Sequence, residues 1–195
     1  MIFFKDAKEY IRGGNADTED IASDLKREEA WQGCWRRYTS HLDEIAGRVG
    51  TKAYEFFRFG ANETGLHDGF LLSLNLGDSI ALSATSYPRL QFGRGPTTVA
   101  MTILNYEKTR LHRFTFKGSR KVVVDIPSSE PLFFEEGKTL GQIYHYEICS
   151  AGPRYLSVEW LLDSGGTILI EFEKLIYNCK RAKVSQDRSR RSQRN

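Results

Sequence analysis

The chain has 195 residues, 40% hydrophobic and 12% aromatic, with 28 Lys/Arg against 25 Asp/Glu. That length suits one domain with a single substantial core, and the composition excludes a disordered chain. No apolar run approaches the roughly 20 residues that span a bilayer, and the opening MIFFKDAKEYIRGG lacks the apolar region of a signal peptide.

The first segment, 1–50, reads as helical. Trp31, Trp35, Tyr38, Leu42, Ile45 and Val49 recur at alternating spacings of four and three, which places them along one side of a helix. Ile21 and Leu25 extend the stripe backward, and Asp17 or Thr18 is a fitting N-cap. Gly33 weakens helix propensity by about 1 kcal/mol, so two helices meeting near it are expected. Gly47 and Gly50 mark the C-terminal end, and a short helix near 5–12 is compatible with the pattern.

From Leu66 to about 178 the period changes to two. Phe70, Leu72, Leu74 and Leu76 alternate with Leu71, Ser73 and Asn75, and Ile80, Leu82 and Ala84 repeat the pattern after a Gly77-Asp78 turn. Alternation returns at Val99–Ile103, Phe114–Phe116, Val122–Ile126, Tyr144–Ile148, Leu156–Leu162 and Ile168–Phe172, with Gly118-Ser119 and Asp163-Ser164-Gly165-Gly166 as turns. Gly93-Arg94-Gly95-Pro96 leads into no helix and matches no phosphate-binding fingerprint, so it too reads as a turn. About eight short strands without long helices between them predict an α+β fold, a helical segment packed on a predominantly antiparallel sheet in a meander, sandwich or open barrel. The expected organisation is one α+β domain over 1–179 and a basic tail without fixed structure over 180–195.

Charge is uneven along this plan. The last 16 residues hold seven Lys/Arg and one Asp, whereas residues 1–179 hold 21 Lys/Arg and 24 Asp/Glu. A mildly acidic body argues against a broad basic face, so the tail is the one place where the phosphate of a nucleic acid could be met, through Arg188, Arg190 and Arg191; the simpler reading of the tail is a soluble extension with no fixed role. Cys34, Cys149 and Cys179 are far apart and form no CxxC or CxxH spacing. Neither zinc knuckle nor disulfide framework is indicated, and a reducing cytoplasm is the expected setting.

Two groups of residues bear on catalysis. His67-Asp68, ahead of the first strand, could serve as acid and base or as metal ligands. Adjacent residues on an extended chain point to opposite faces, however, and no G-x-S-x-G elbow supplies a nucleophile. The preferred reading is a strand entrance: Leu66 anchors the loop, Asp68 accepts backbone N–H bonds, and Gly69 permits a close approach. On the later strands His145, Glu147, Glu159 and Glu171 could converge around a divalent cation or a hydrolytic water if those strands are neighbours. Polar residues on the solvent face of a half-buried sheet are the simpler expectation. No cofactor is expected. Trp31 and Trp35 read first as core against the sheet and, if exposed, as a partner-binding stripe.

The Trp35-Arg-Arg-Tyr38-Thr-Ser-His41-Leu42 helix pattern, a short loop, and Leu66-His67-Asp68-Gly69 opening an all-β region together resemble a group of bacterial proteins classed only as a domain of unknown function. In these a Leu-His-Asp-Gly or Leu-His-Asp-Ala sequence opens an antiparallel sheet. The resemblance covers roughly 25–178 and implies a fold rather than an activity. It is similar in scale to some immunity or accessory proteins of bacterial toxin systems. The function expected is therefore a small non-catalytic binding protein, with another protein as partner. A hydrolase using His67 and Asp68 or the His145/Glu147/Glu159 face is the alternative.

Overall fold

The computed structural model describes residue 3 and residues 21–63, 66–77, 80–82, 89–125, 133–134, 137–138, 140–163 and 165–182. Asp17, Thr18, the segment 5–12 and the tail arginines Arg188, Arg190 and Arg191 lie outside the described residues.

The helical part is one long helix and one short one. Helix α1 runs unbroken from Ile21 to Val49, passing through Gly33 without interruption. The chain breaks instead at Gly50, whose φ of 85° is the left-handed conformation that glycine adopts without strain. Helix α2, Thr51–Glu63, follows at once where only a loop was expected. Its Ala53, Phe56 and Phe57 stand at i, i+3 and i+4 and are all buried.

Among the described residues eight strands form one antiparallel sheet. They are β1 (Phe70–Leu76), β2 (Ile80–Leu82), β3 (Arg89–Leu104), β4 (Arg110–Asp125), β7 (Ile143–Ser150), β8 (Leu156–Leu162), β9 (Thr167–Phe172) and β10 (Lys174–Arg181). Two-residue strands β5 (Phe133–Phe134) and β6 (Gly137–Lys138) pair separately. The order is β2-β1-β3-β4-β9-β8-β7, with β10 added on β4. The sheet is open. Among the described residues the start of β1 is joined to the start of β7 by the Phe70–Gln142 bridge and by backbone hydrogen bonds of Leu71 with Leu140 and Gly141 and of Asp68 and Gly69 with Ile143.

Strand β4 is the spine. It pairs with β3 along its length, with β10 over 110–117, and with β9 over 121–125. The change of partner falls at Gly118, with φ of 65°. Three residues of β4 (118–120) here face two (172–173) between β9 and β10, which is the arithmetic of a β-bulge. Gly118-Ser119 is therefore a bend inside one strand and not a turn between two. Gly93–Pro96 likewise lies within β3, where the register with β4 shifts between Gly93 and Thr97.

The core side of the sheet is built as the alternation predicts, with Leu42, Leu74, Val158, Trp160, Ile170 and Phe172 all fully buried. Leu72 is the exception, at 40% exposed. The β1–β3 register slips between Leu71 and Ser73, so Leu71 takes the inward place and Leu72 is turned out. Phe56 and Phe57 of α2 meet Phe114, Tyr146, Trp160 and Tyr177 at centroid distances of 4.8–6.5 Å, which ties the helices to the sheet.

Candidate binding pocket

Among the described residues strand β7 ends the sheet order, and beyond Ile143, which bonds to Asp68 and Gly69, one row of its backbone groups has no neighbouring strand. Helix α1 lies along it and supplies side chains in place of that strand. The Ile148 N–H donates to the Tyr38 hydroxyl at 3.0 Å, and the Ser150 N–H donates to His41 Nε2 at 3.2 Å. Two turns beyond, Arg48 donates to Ser150 Oγ and to the carbonyls of Gly152 and Tyr155 at 2.7–3.0 Å, clasping the β7–β8 hairpin. Polar side chains on the helix thus close an edge that would otherwise be open to another chain. Burial pushes the Tyr38 phenol well above its usual pKa, so it stays neutral there.

Toward the N-terminal half of α1 the helix and the sheet diverge. The β7–β8 register shifts between Ile143 and His145, and Tyr144, His145 and Tyr146 are all half-buried instead of alternating in and out. A pocket of about 650 Å³ opens here. Helix α1 lines it with Trp31, Trp35 and Tyr38 and with the exposed Glu28, Gln32 and Arg36; α2 adds Phe57; β7 adds its three consecutive rings; and the turn before β1 adds His67. Trp31 meets the His145 ring edge-on at 5.8 Å, and Trp35 packs 5.7 Å from Tyr38. The volume lies within the range of small-molecule pockets.

The turn that carries His67 is built as a strand entrance. Leu66 is fully buried, and the Gly69 N–H returns to the Leu66 carbonyl at 2.9 Å. A Cβ on Gly69 would sit 3.0 and 3.1 Å from the carbonyl oxygens of Leu66 and Leu104, so the close approach admits only glycine without displacement. The role expected of Asp68 needs correction. Its backbone N–H donates to the Ile143 carbonyl at 2.7 Å, while its carboxylate sits 2.9 Å from His67 Nδ1. A φ of 61° at Asp68 takes the pair out of extended geometry, so the two neighbours meet instead of pointing apart. His67 also lies 5.4 Å from the Tyr144 ring, whose phenol pKa is raised by burial first and by the Asp68 charge second.

The carboxylates of the later strands are dispersed. Glu147 is 2% exposed, not on a wet face, and its Oε2 accepts from the Phe3 N–H at 3.3 Å. Glu159 stands directly opposite Glu147, but His145 faces Leu161, and Glu171 faces Ser157 and pairs with Arg120 at 2.7 Å and Lys121 at 3.6 Å. Among the described residues no group of three His, Cys, Asp or Glu side chains gathers closely enough to hold a metal ion.

Sequence reasoning passed over a second polar cluster. His112 is fully buried on β4, its Nδ1 2.9 Å from the Tyr177 hydroxyl and its Nε2 3.9 Å from Cys179 Sγ. Burial, with Arg110 adding to it, lowers the imidazole pKa to about 4. The signal was present as His112, Phe114 and Phe116 at period two.

Among the described residues no helix is long and apolar enough to cross a membrane. The chain matches no protein-family model, no curated protein and no solved structure.

Proposed function

We propose that the chain is a small non-catalytic binding protein that takes an aromatic or apolar side chain of a partner protein into the α1–β7 pocket. The observation that carries this reading is the convergence of Trp31 and Trp35 with Tyr144, His145 and His67 around one cavity. Trp, Tyr and Arg dominate the binding energy of protein interfaces, and rigid rings lose little rotamer freedom when they are covered. Exposed Glu28, Gln32 and Arg36 supply polar groups beside the aromatic floor, as at the margin of such interfaces. The immunity-like or accessory role suggested by the Leu66–Gly69 resemblance is of this kind. Ligand-observed NMR with N-acetyl-tryptophanamide, N-acetyl-tyrosinamide and N-acetyl-leucinamide as side-chain probes tests it. Saturable binding of at least one probe, lost in Trp35→Ala with the melting transition retained, is expected. Absence of binding by all three, or binding indifferent to Trp31→Ala and Trp35→Ala, defeats the reading.

A second reading, acid–base chemistry, is favoured by the His67–Asp68 contact at 2.9 Å beside the pocket. The described lining holds no Ser, Thr, Cys or Lys, so the simplest such chemistry is activation of water by the pair. Hydrolysis of a panel of chromogenic esters and phosphoesters that disappears in His67→Gln would move this reading to first place.

A further inference from the structure

Charge is segregated along β4 at the Gly118 bulge. Beyond the bulge, basic side chains are matched: Arg120 and Lys121 by Glu171, and Arg154 by Glu173 at 2.8 Å. Before it, where β4 pairs with β10, Arg110, Arg113, Lys117, Lys174, Lys180 and Arg181 are all exposed, and among the described residues none of them is in an ion pair. The register sharpens this. Lys174 stands directly opposite Lys117, and Arg181 directly opposite Arg110. Like charges opposite each other destabilise a ladder. Arg113, Lys117, Lys174 and Lys180 also share one face, the one turned away from buried Phe114, Phe116 and Leu175.

We infer that this face of the β4–β10 ladder is a binding strip for the phosphate backbone of single-stranded nucleic acid. From position 110 to 117 the ladder extends about 24 Å at ~3.4 Å per residue, the length of roughly seven stacked nucleotides. A phosphate set against the strip relieves the repulsion within the Lys117–Lys174 pair, while Arg110 and Arg181 stand at the far end of the ladder on its other face. At one end, the hairpin joining β3 to β4 presents Tyr106, 62% exposed, stacked on Phe70 at 6.5 Å. An exposed ring at the end of a basic track is a platform on which a base can stack. Two carboxylates are near: Glu107 in the same hairpin, and Glu173, already committed to Arg154. Strand β10 ends at Arg181, and the sequence after it holds Lys183, Arg188, Arg190, Arg191 and Arg194 against Asp187. The near-neutral total conceals the strip because its cations are balanced by carboxylates elsewhere on the body.

The test is fluorescence anisotropy of the full chain with a labelled oligothymidylate over a salt series. Wild type should bind in low salt, with affinity falling steeply as salt rises. Lys117→Glu/Lys174→Glu should weaken binding about tenfold or more and reduce the log–log salt slope by about 1.4, the loss of two phosphate contacts. Tyr106→Ala should weaken binding at an unchanged slope. The single variant Lys174→Glu separates recognition from folding. It replaces a like-charged pair with an opposite one, so its melting temperature should rise while affinity falls. The inference is overturned if wild type does not bind, or if the double variant binds as wild type does. It is equally overturned if Arg188→Ser/Arg190→Ser/Arg191→Ser alone abolishes binding while the strip variants do nothing. Phosphatidylserine vesicles bound by a chain that ignores the oligonucleotide would assign the strip to membranes instead and also end it.

Discussion

Removing one oxygen atom from Tyr38 tests how the helix closes the sheet edge. Tyr38 is 1% exposed, and its hydroxyl accepts the Ile148 N–H at 3.0 Å. Tyr38→Phe keeps the ring and therefore its packing against Phe3 at 5.6 Å and Trp35 at 5.7 Å. The apolar area buried is unchanged, so what is lost is the acceptor of a buried backbone donor. Leaving such a donor unsatisfied costs about 1–3 kcal/mol, more than the ~1 kcal/mol that a hydrogen bond contributes when both partners can return to water. For a chain of this size each kcal/mol lowers the melting temperature by about 2–4 °C. Urea denaturation should show a lower midpoint at unchanged slope, since the surface exposed on unfolding is the same. Hydrogen exchange should accelerate at the Ile148 amide and leave the β8-facing amides of β7 unaffected. A variant with the wild-type midpoint and wild-type exchange at Ile148 would refute the idea that the hydroxyl caps the edge.

Other perturbations probe the core, the strand entrance and the buried imidazole. Trp160→Ala should cost about 3–5 kcal/mol in chemical denaturation, because a fully buried indole packed on Tyr146 at 4.9 Å and Phe114 at 5.2 Å is replaced by a void. Gly69→Ala should destabilise by about 1–3 kcal/mol, since its Cβ would press on two backbone oxygens rather than on side chains that can move; a wild-type midpoint would remove the close-approach argument. Asp68→Ala should lower stability equally with and without added divalent cation, as the left-handed backbone at Asp68 disfavours a Cβ without a polar terminus; a cation-dependent rise in wild-type melting temperature, absent from the variant, would show Asp68 to be a ligand. His112, lowered from 6.5 to about 4, binds its proton less readily folded than unfolded. Stability should therefore be fully present above pH ~6.5 and decline toward pH ~4, by at most roughly 3 kcal/mol, and His112→Gln should flatten that slope in urea midpoints measured against pH.

Period-two alternation made β8 and β9 readable, and the spacing of four and three made α1 readable, because in each the side chains that meet the core repeat with the backbone. What escaped depends on events that break the period. Alternation places Leu72 inward, but the bulge turns it out and puts Leu71 in its place, while Leu74 and Leu76 keep the core face. Gly118 was assigned to a turn because a glycine beside a serine looks alike in a turn and in a bulge; only the neighbouring strands distinguish them. Helix α2 was hidden by Gly50, which ends one helix and directly precedes the next. Strand β10 does not stand out because its row on the core side loses cover along its length, with Leu175 buried, Tyr177 half-buried and Cys179 exposed. The Trp31–Trp35 stripe, His67 and His145 each stand out in the sequence, but apart from one another. Their meeting depends on where α1 lies against β7, and that is a tertiary fact to which no local pattern refers.

The closure of the β7 edge by side chains also constrains the route to the folded state. Tyr38 and Ile148 are separated by 110 positions, and His41 and Ser150 by 109. Contacts so distant in sequence form late, whereas β7, β8 and β9 are successive neighbours that can zip together early. Between those moments the meander exists with a naked margin, able to recruit the same strand of a second molecule. Concentration during refolding should then decide between monomer and aggregate, and the docking of α1 is the step that ends this vulnerability.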